Sequence, residues 1–132
     1  MEARMRILKI IAMLASLASV AYAVPGTATF YTPPYSPNAC IGVHLSGTLP
    51  LIAAASNVIW DNGAACGRNY TVTCTGTNNQ GISQPCRAGS VVVQLIDYCP
   101  DPGCPATFDL SQEAFAVIAD PNARKVNIDY ER

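Results

Sequence analysis

Two aspartates, Asp97 and Asp109, are the residues of this chain best placed by type and spacing to do chemistry. Asp97 ends a strongly apolar run, Ser90-Val-Val-Val-Gln-Leu-Ile96, and Asp109 stands just before a segment of helical character. Between them runs a proline-rich loop carrying Cys99 and Cys104. Two acids at the ends of ordered elements, joined by a loop that a disulfide would stiffen, make a plausible carboxylate site. The competing reading is structural: an aspartate before a helix usually caps it, and one ending a strand usually forms a turn. Spacing alone favours the structural reading.

The N-terminus bears on compartment. Arg4, Arg6 and Lys9 precede an apolar stretch from Ile10 to Tyr22, and Ala21-Tyr22-Ala23 has the small-x-small form that signal peptidase cuts after. The apolar stretch is shorter than the roughly 20 residues of a spanning helix, and Pro25-Gly26 follow at once. Residues 1–23 are therefore expected to be a cleaved signal peptide and residues 24–132 one secreted domain, not membrane-spanning. That domain carries five basic and eight acidic side chains, a formal charge of −3. Such a surface argues against nucleic acid or an anionic membrane as partner.

All six cysteines, Cys40, Cys66, Cys74, Cys86, Cys99 and Cys104, fall after the signal. An even count in a small secreted domain points to three disulfides, for which 15 pairings exist. A metal site is not expected, because no C-x-x-C pair occurs and His44 is the only histidine. No cofactor is expected either.

The elements that would position the two acids are short. Gly26 to Tyr31 alternates, with Thr27, Thr29 and Tyr31 on one face and Ala28 and Phe30 on the other. Pro33, Pro34 and Pro37 force an irregular loop, and Gly42 to Pro50 has no periodicity. Leu51 to Ala55 is too brief to separate strand from buried turn. Trp60 is expected in the core, ahead of a turn at Asp61-Asn62-Gly63. Asn69 to Thr75 alternates with Tyr70, Val72 and Cys74 inward, and Asn69-Tyr70-Thr71 is a glycosylation sequon. Gly76 to Gly89 reads as a hairpin connection and Val91 to Ile96 as a strand covered on both faces. Ser111 to Ala119 predicts a helix with Ser111 as cap, burying Leu110, Ala114, Phe115 and Ile118, and Lys125 to Tyr130 predicts a closing strand. Many short strands and one late helix indicate a small β-barrel.

Four stretches carry a family likeness: GTATFY at 26–31, IWDNGAACGRNYTVTC at 59–74, VVVQLIDYCP at 91–100 and TFDLSQEAFAVIA at 107–119. Together they resemble the single-domain expansin-like proteins of plants, the endoglucanase-45-like-domain proteins, which include the plant natriuretic peptides. The resemblance spans essentially all of residues 24–132. It implies an all-β fold, a six-stranded double-psi β-barrel with a short helix, three disulfides and an open groove. It also implies the pairings Cys40–Cys66 and Cys74–Cys86, which leave Cys99 for Cys104. In related hydrolases the aspartate of the FD motif is the catalytic acid, and Asp109 matches it. Asp97, Thr29 and Tyr31 match other groove residues.

This chain departs from the hydrolases in one respect. Their second carboxylate precedes the first barrel cysteine, and here Thr32-Pro-Pro-Tyr-Ser-Pro-Asn-Ala-Cys40 holds no acid. An inverting glycosidase needs that group to activate water, so an enzyme is not expected. Full expansins add a second, carbohydrate-binding domain that this chain is expected to lack, and expansin-type wall loosening is not expected. The resemblance implies instead a monomeric protein of the apoplast acting in water and solute homeostasis or in stress and defence signalling. Its partner would be a cell-surface receptor or a cell-wall glycan. Two alternatives are a single-acid, lytic-type glycan-cleaving enzyme and a passive cell-wall polysaccharide binder.

Overall fold

The alternating residues near the start belong to a longer strand, β1 (Val24–Tyr31), in which Ala28 is fully buried. In the computed structural model, residues 22–41, 50–79 and 81–132 are described. All but the last two residues of the expected signal segment lie outside these, as do His44 and most of the 42–50 loop. Five more strands follow: β2 (Ile52–Ala55), β3 (Asn69–Thr77), β4 (Ser90–Tyr98), β5 (Phe108–Ser111) and β6 (Val126–Glu131). Two short helices, α1 (Asn57–Trp60) and α2 (Gln112–Ile118), follow β2 and β5 directly.

The strands close into a barrel in the order β1-β5-β2-β4-β3-β6. β1 pairs parallel with β5 and β2 parallel with β4, while the other four pairings are antiparallel. Closure leaves no open sheet edge, which suits strands this short. The expected barrel and the expected inward set Tyr70, Val72 and Cys74 are both present. β4 is covered on both faces from Val93 to Ile96, whereas Val92 is 47% exposed.

The barrel is filled by side chains from every strand and by one face of α2. Phe108, Leu95, Leu110, Val72 and Ile128 are fully buried beside Phe115 and Ile118 of the helix. Phe108 stands edge-on to Tyr130 at 5.1 Å, and Phe115 lies 4.9 Å from Phe30, distances at which aromatic pairs add to simple burial. Close approach of β1 to the start of β5 requires Gly26, since a Cβ there would meet Thr107 Oγ1 at 2.8 Å. The threonines exploit the contact: each backbone N–H of Thr27 and Thr107 donates to the other's hydroxyl, at 3.1 and 3.2 Å.

The cysteines pair as the resemblance implies, Cys40–Cys66, Cys74–Cys86 and Cys99–Cys104. Two readings need correction. Asp109 is not a helix cap; it lies inside β5, and Ser111 caps α2, its hydroxyl accepting from the Ala114 N–H at 3.2 Å. Trp60 is not a core residue. It ends α1 half-buried, packed on the rim of the core and stacked on Tyr98 at 4.6 Å. A one-turn helix, Asp61–Gly63, follows it at once, and the stack on Tyr98 gives the indole its place at the rim.

Candidate functional site

Strand register brings the predicted residues together. Thr29 of β1 stands opposite Asp109 of β5, Asp109 opposite Ala54 of β2, and Ala54 opposite Asp97 of β4. The four residues form one row across four strands, with the two acids separated by the smallest side chain that still makes a strand. An irregularity that leaves Ile96 of β4 unpaired opposite Ala53 and Ala54 sets Ala54 against Asp97. Tyr31, two residues beyond Thr29, extends the same face of β1.

The row floors a cavity of about 350 Å³ lined by Tyr31, Ala54, Asp97, Tyr98 and Asp109 on the barrel side. Its outer wall is the Cys99–Cys104 loop, with Pro100 and Gly103 facing inward. The Cys99 N–H donates to the Ala55 carbonyl at 2.8 Å and the Cys104 N–H to that of Pro100 at 3.0 Å. The loop is therefore tied to β2 at its root and to itself at its end.

The two acids are held differently. Asp109 Oδ1 accepts a hydrogen bond from the Thr29 hydroxyl at 2.9 Å. Burial pushes the Asp109 carboxyl above the usual carboxylate range, the Thr29 bond pulls it back in part, and the charge of Asp97 pushes the same way as burial. Asp97 uses Oδ1 as a clasp, accepting from the N–H groups of Ala39 at 2.9 Å and Tyr98 at 2.8 Å. It thereby anchors the proline-rich segment that precedes Cys40. Both a turn-forming role and a place in the cavity hold for Asp97.

Tyr31 supplies a neutral phenol. Burial raises its pKa first, and Asp97 and Asp109 raise it further, so it stays protonated at any physiological pH. Its hydroxyl is buried with no partner among the described residues, an arrangement that costs free energy unless a ligand or water completes it. Thr29, Tyr31, Asp97 and Asp109 thus share one site. The fifth candidate, Asn69, lies apart, exposed at the first position of β3 and paired with Gln94 of β4.

Three contributors escaped sequence reasoning. Ala54 sits in a run with no pattern, and Tyr98 hides behind its neighbour Asp97. The third is the pair Tyr35 and Glu113, whose hydroxyl and Oε2 meet at 2.5 Å. Tyr35 also stands edge-on to Tyr31 at 5.2 Å. Partial burial and the bond to Glu113 push Tyr35 up to about 12, and the same bond draws the Glu113 carboxyl below its ordinary value. Tyr35 of the proline-rich segment is thereby locked to α2 at the groove's end. Among the described residues, no three of His, Cys, Asp and Glu gather as a metal site would require.

Residues 52–130 match the family described as lytic transglycolase. Over 116 residues the chain is 55% identical to an EG45-like domain containing protein of Citrus jambhiri, covering 88% of this chain and 86% of the relative. The chain belongs to the EG45-like domain-containing proteins. Among solved structures, this EG45-like barrel is similar to a Clavibacter michiganensis expansin variant in complex with cellohexaose. The TM-score is 0.59 and the identity 29%, over 83% of this chain and 49% of that one; the EG45-like chain spans about half of that expansin. A family-45 endoglucanase in complex with cellobiose is similar in fold, at TM-score 0.57 and 18% identity, over 83% of this chain and 80% of that one. The architecture of this EG45-like protein is accordingly the double-psi β-barrel implied by its motifs.

Proposed function

We propose that this EG45-like protein is secreted and binds a glucan chain in the Asp109 groove without hydrolysing it. The observation that carries the reading is the row Thr29–Asp109–Ala54–Asp97. It presents one half-buried carboxyl with a raised pKa, one hydroxyl and a phenol with no partner among the described residues to a cavity with an alanine floor. Such groups can accept from and donate to sugar hydroxyls and glycosidic oxygens. Hydrolysis needs a second acid free to take a proton from water. Asp97, the other acid of the cavity, is held as a backbone clasp through Oδ1, and residues 32–39 before Cys40 supply no acid. The cellohexaose complex of the similar expansin supports a glucan as ligand.

Secretion rests on the signal-like residues 1–23, and action in the apoplast follows from it. A monomer is proposed, and glycosylation at Asn69 fits its exposed place on β3. The role in water and solute homeostasis or in stress and defence signalling rests on the likeness to plant natriuretic peptides, with glycan or receptor binding as its first step.

A second reading has one observation in its favour, the match to lytic transglycolases. A single acid suffices for that reaction: Asp109 would protonate the departing glycosidic oxygen, a hydroxyl of the same sugar would close on the anomeric carbon, and that hydroxyl's proton would return to the Asp109 carboxylate. Incubation with cellohexaose, mixed-link glucan, xyloglucan and peptidoglycan separates the readings. Glucan binding with no new ends is expected. New reducing ends would overturn the non-hydrolytic reading in favour of hydrolysis, and anhydro-sugar ends in favour of the lytic one.

A further inference from the structure

Tyr98 is a wall shared by two cavities. Beyond it, away from Asp109, lies a cleft of about 410 Å³ lined by Asn57, Trp60, Asp61, Asn62 and Tyr98. We propose that this cleft is a second sugar subsite, taking one pyranose ring of a glucan chain whose neighbouring rings lie over Asp109. The proposal rests on the glucan-binding reading above and extends it to a longer ligand.

A pyranose presents apolar C–H faces and a rim of hydroxyls. A site for it combines aromatic surface with a few fixed polar groups. The cleft has both. Trp60 and Tyr98 lie nearly parallel, 18° apart with centroids at 4.6 Å, so each ring immobilises the other. The Tyr98 hydroxyl is bonded to the Asn57 side-chain oxygen, and the Asn57 amide donates to Asp101 Oδ2 at 2.9 Å. The aromatic wall is thus set before any ligand arrives, which lowers the ordering cost of binding.

The opposite side is an unusual turn. Asp61, Asn62 and Gly63 have φ of 54°, 51° and 92°, three left-handed residues in succession, two of them not glycine. Aspartate and asparagine are the non-glycine residues that enter that region most readily, so the turn suits its sequence. An ion pair from Arg68 to Asp61 Oδ2 at 2.9 Å and the Ala64 N–H donating to the Asp61 carbonyl at 3.0 Å brace the turn. The outcome is that Asn62 lines the cleft with an amide that has no partner among the described residues. A planar amide can donate to one sugar hydroxyl and accept from the next.

Trp60 is the protein's one tryptophan, so its emission reports on this cleft. The test titrates cellobiose and cellohexaose into the wild type, Asp109→Asn and Asn62→Gly, by calorimetry and by tryptophan emission. Glycine suits the left-handed turn, so Asn62→Gly removes the amide without disturbing the fold. Cellohexaose is expected to shift Trp60 emission. Asn62→Gly should weaken cellohexaose about 2- to 12-fold while leaving cellobiose, held at Asp109, unchanged. Unchanged emission at saturating cellohexaose, together with wild-type affinities in Asn62→Gly, would overturn the subsite and leave the groove reading standing. Absence of any oligosaccharide binding by the wild type would overturn both.

Discussion

Removing disulfides one at a time should separate what stabilises the barrel from what shapes its groove. Cys40–Cys66 closes a span of 26 residues, while Cys99–Cys104 closes one of 5. If each bridge acts by restricting the unfolded chain, they contribute about 3.5 and about 2 kcal/mol respectively. For a domain near this size, a loss of 1 kcal/mol lowers Tm by about 4 °C. Cys40→Ala with Cys66→Ala should therefore lower Tm by about 14 °C, and Cys99→Ala with Cys104→Ala by about 8 °C. Alanine is preferred to serine because Cys40 is buried and a hydroxyl there would need a partner. Binding should rank the other way. Cys99, Pro100, Gly103 and Cys104 line the Asp109 cavity, and neither Cys40 nor Cys66 does. The assay is calorimetric melting of both double variants beside cellohexaose titration below their melting range. An equal or larger Tm loss for the Cys99–Cys104 variant would refute loop closure as the mechanism. Unaltered glucan affinity in that variant would refute its role as the groove wall.

Two further outcomes follow from the electrostatics and the hydrogen bonds. Because burial raises the Asp109 carboxyl, the folded state binds this proton more tightly than the unfolded chain. The group's stabilising effect is full below the unfolded pKa and is lost as pH rises to the folded value. Asp109→Asn should therefore gain Tm over the wild type as pH rises through that window and hold the gain at neutral pH; a difference that shrinks with rising pH would contradict the burial. Asp97→Ala leaves the Ala39 and Tyr98 N–H groups without their acceptor and should cost about 1–3 kcal/mol. Asp97→Asn, which keeps Oδ1, should recover most of it in urea melts, and equal losses would show that charge rather than the clasp matters.

How far the molecule was legible in its residues depends on strand length. β3, β4 and β6 are long enough to show alternation or a sustained apolar run, and α2 shows its buried face and its cap. β2 and β5 have four residues each, three or four of them buried, so no period survives to mark them. That is why Asp109, within β5, looked like a cap. The pairing of Thr29 with Asp109 depends on a parallel contact between residues 80 apart, which no local pattern encodes; family likeness supplied it. Trp60 shows the opposite failure. Its size argued for the core, but the stack on Tyr98 holds it at the rim.

The central claim is that Asp109 grips a glucan without cleaving it. Its most direct test is calorimetric titration of cellohexaose into the wild type and Asp109→Asn, with melting curves confirming both folds and reducing ends assayed in the same samples. The account predicts binding by the wild type, no release of ends, and affinity about 10- to 150-fold weaker in the variant, the loss of one hydrogen bond to a carboxyl group. Equal affinity in a folded Asp109→Asn protein, or release of reducing ends by the wild type, would contradict it.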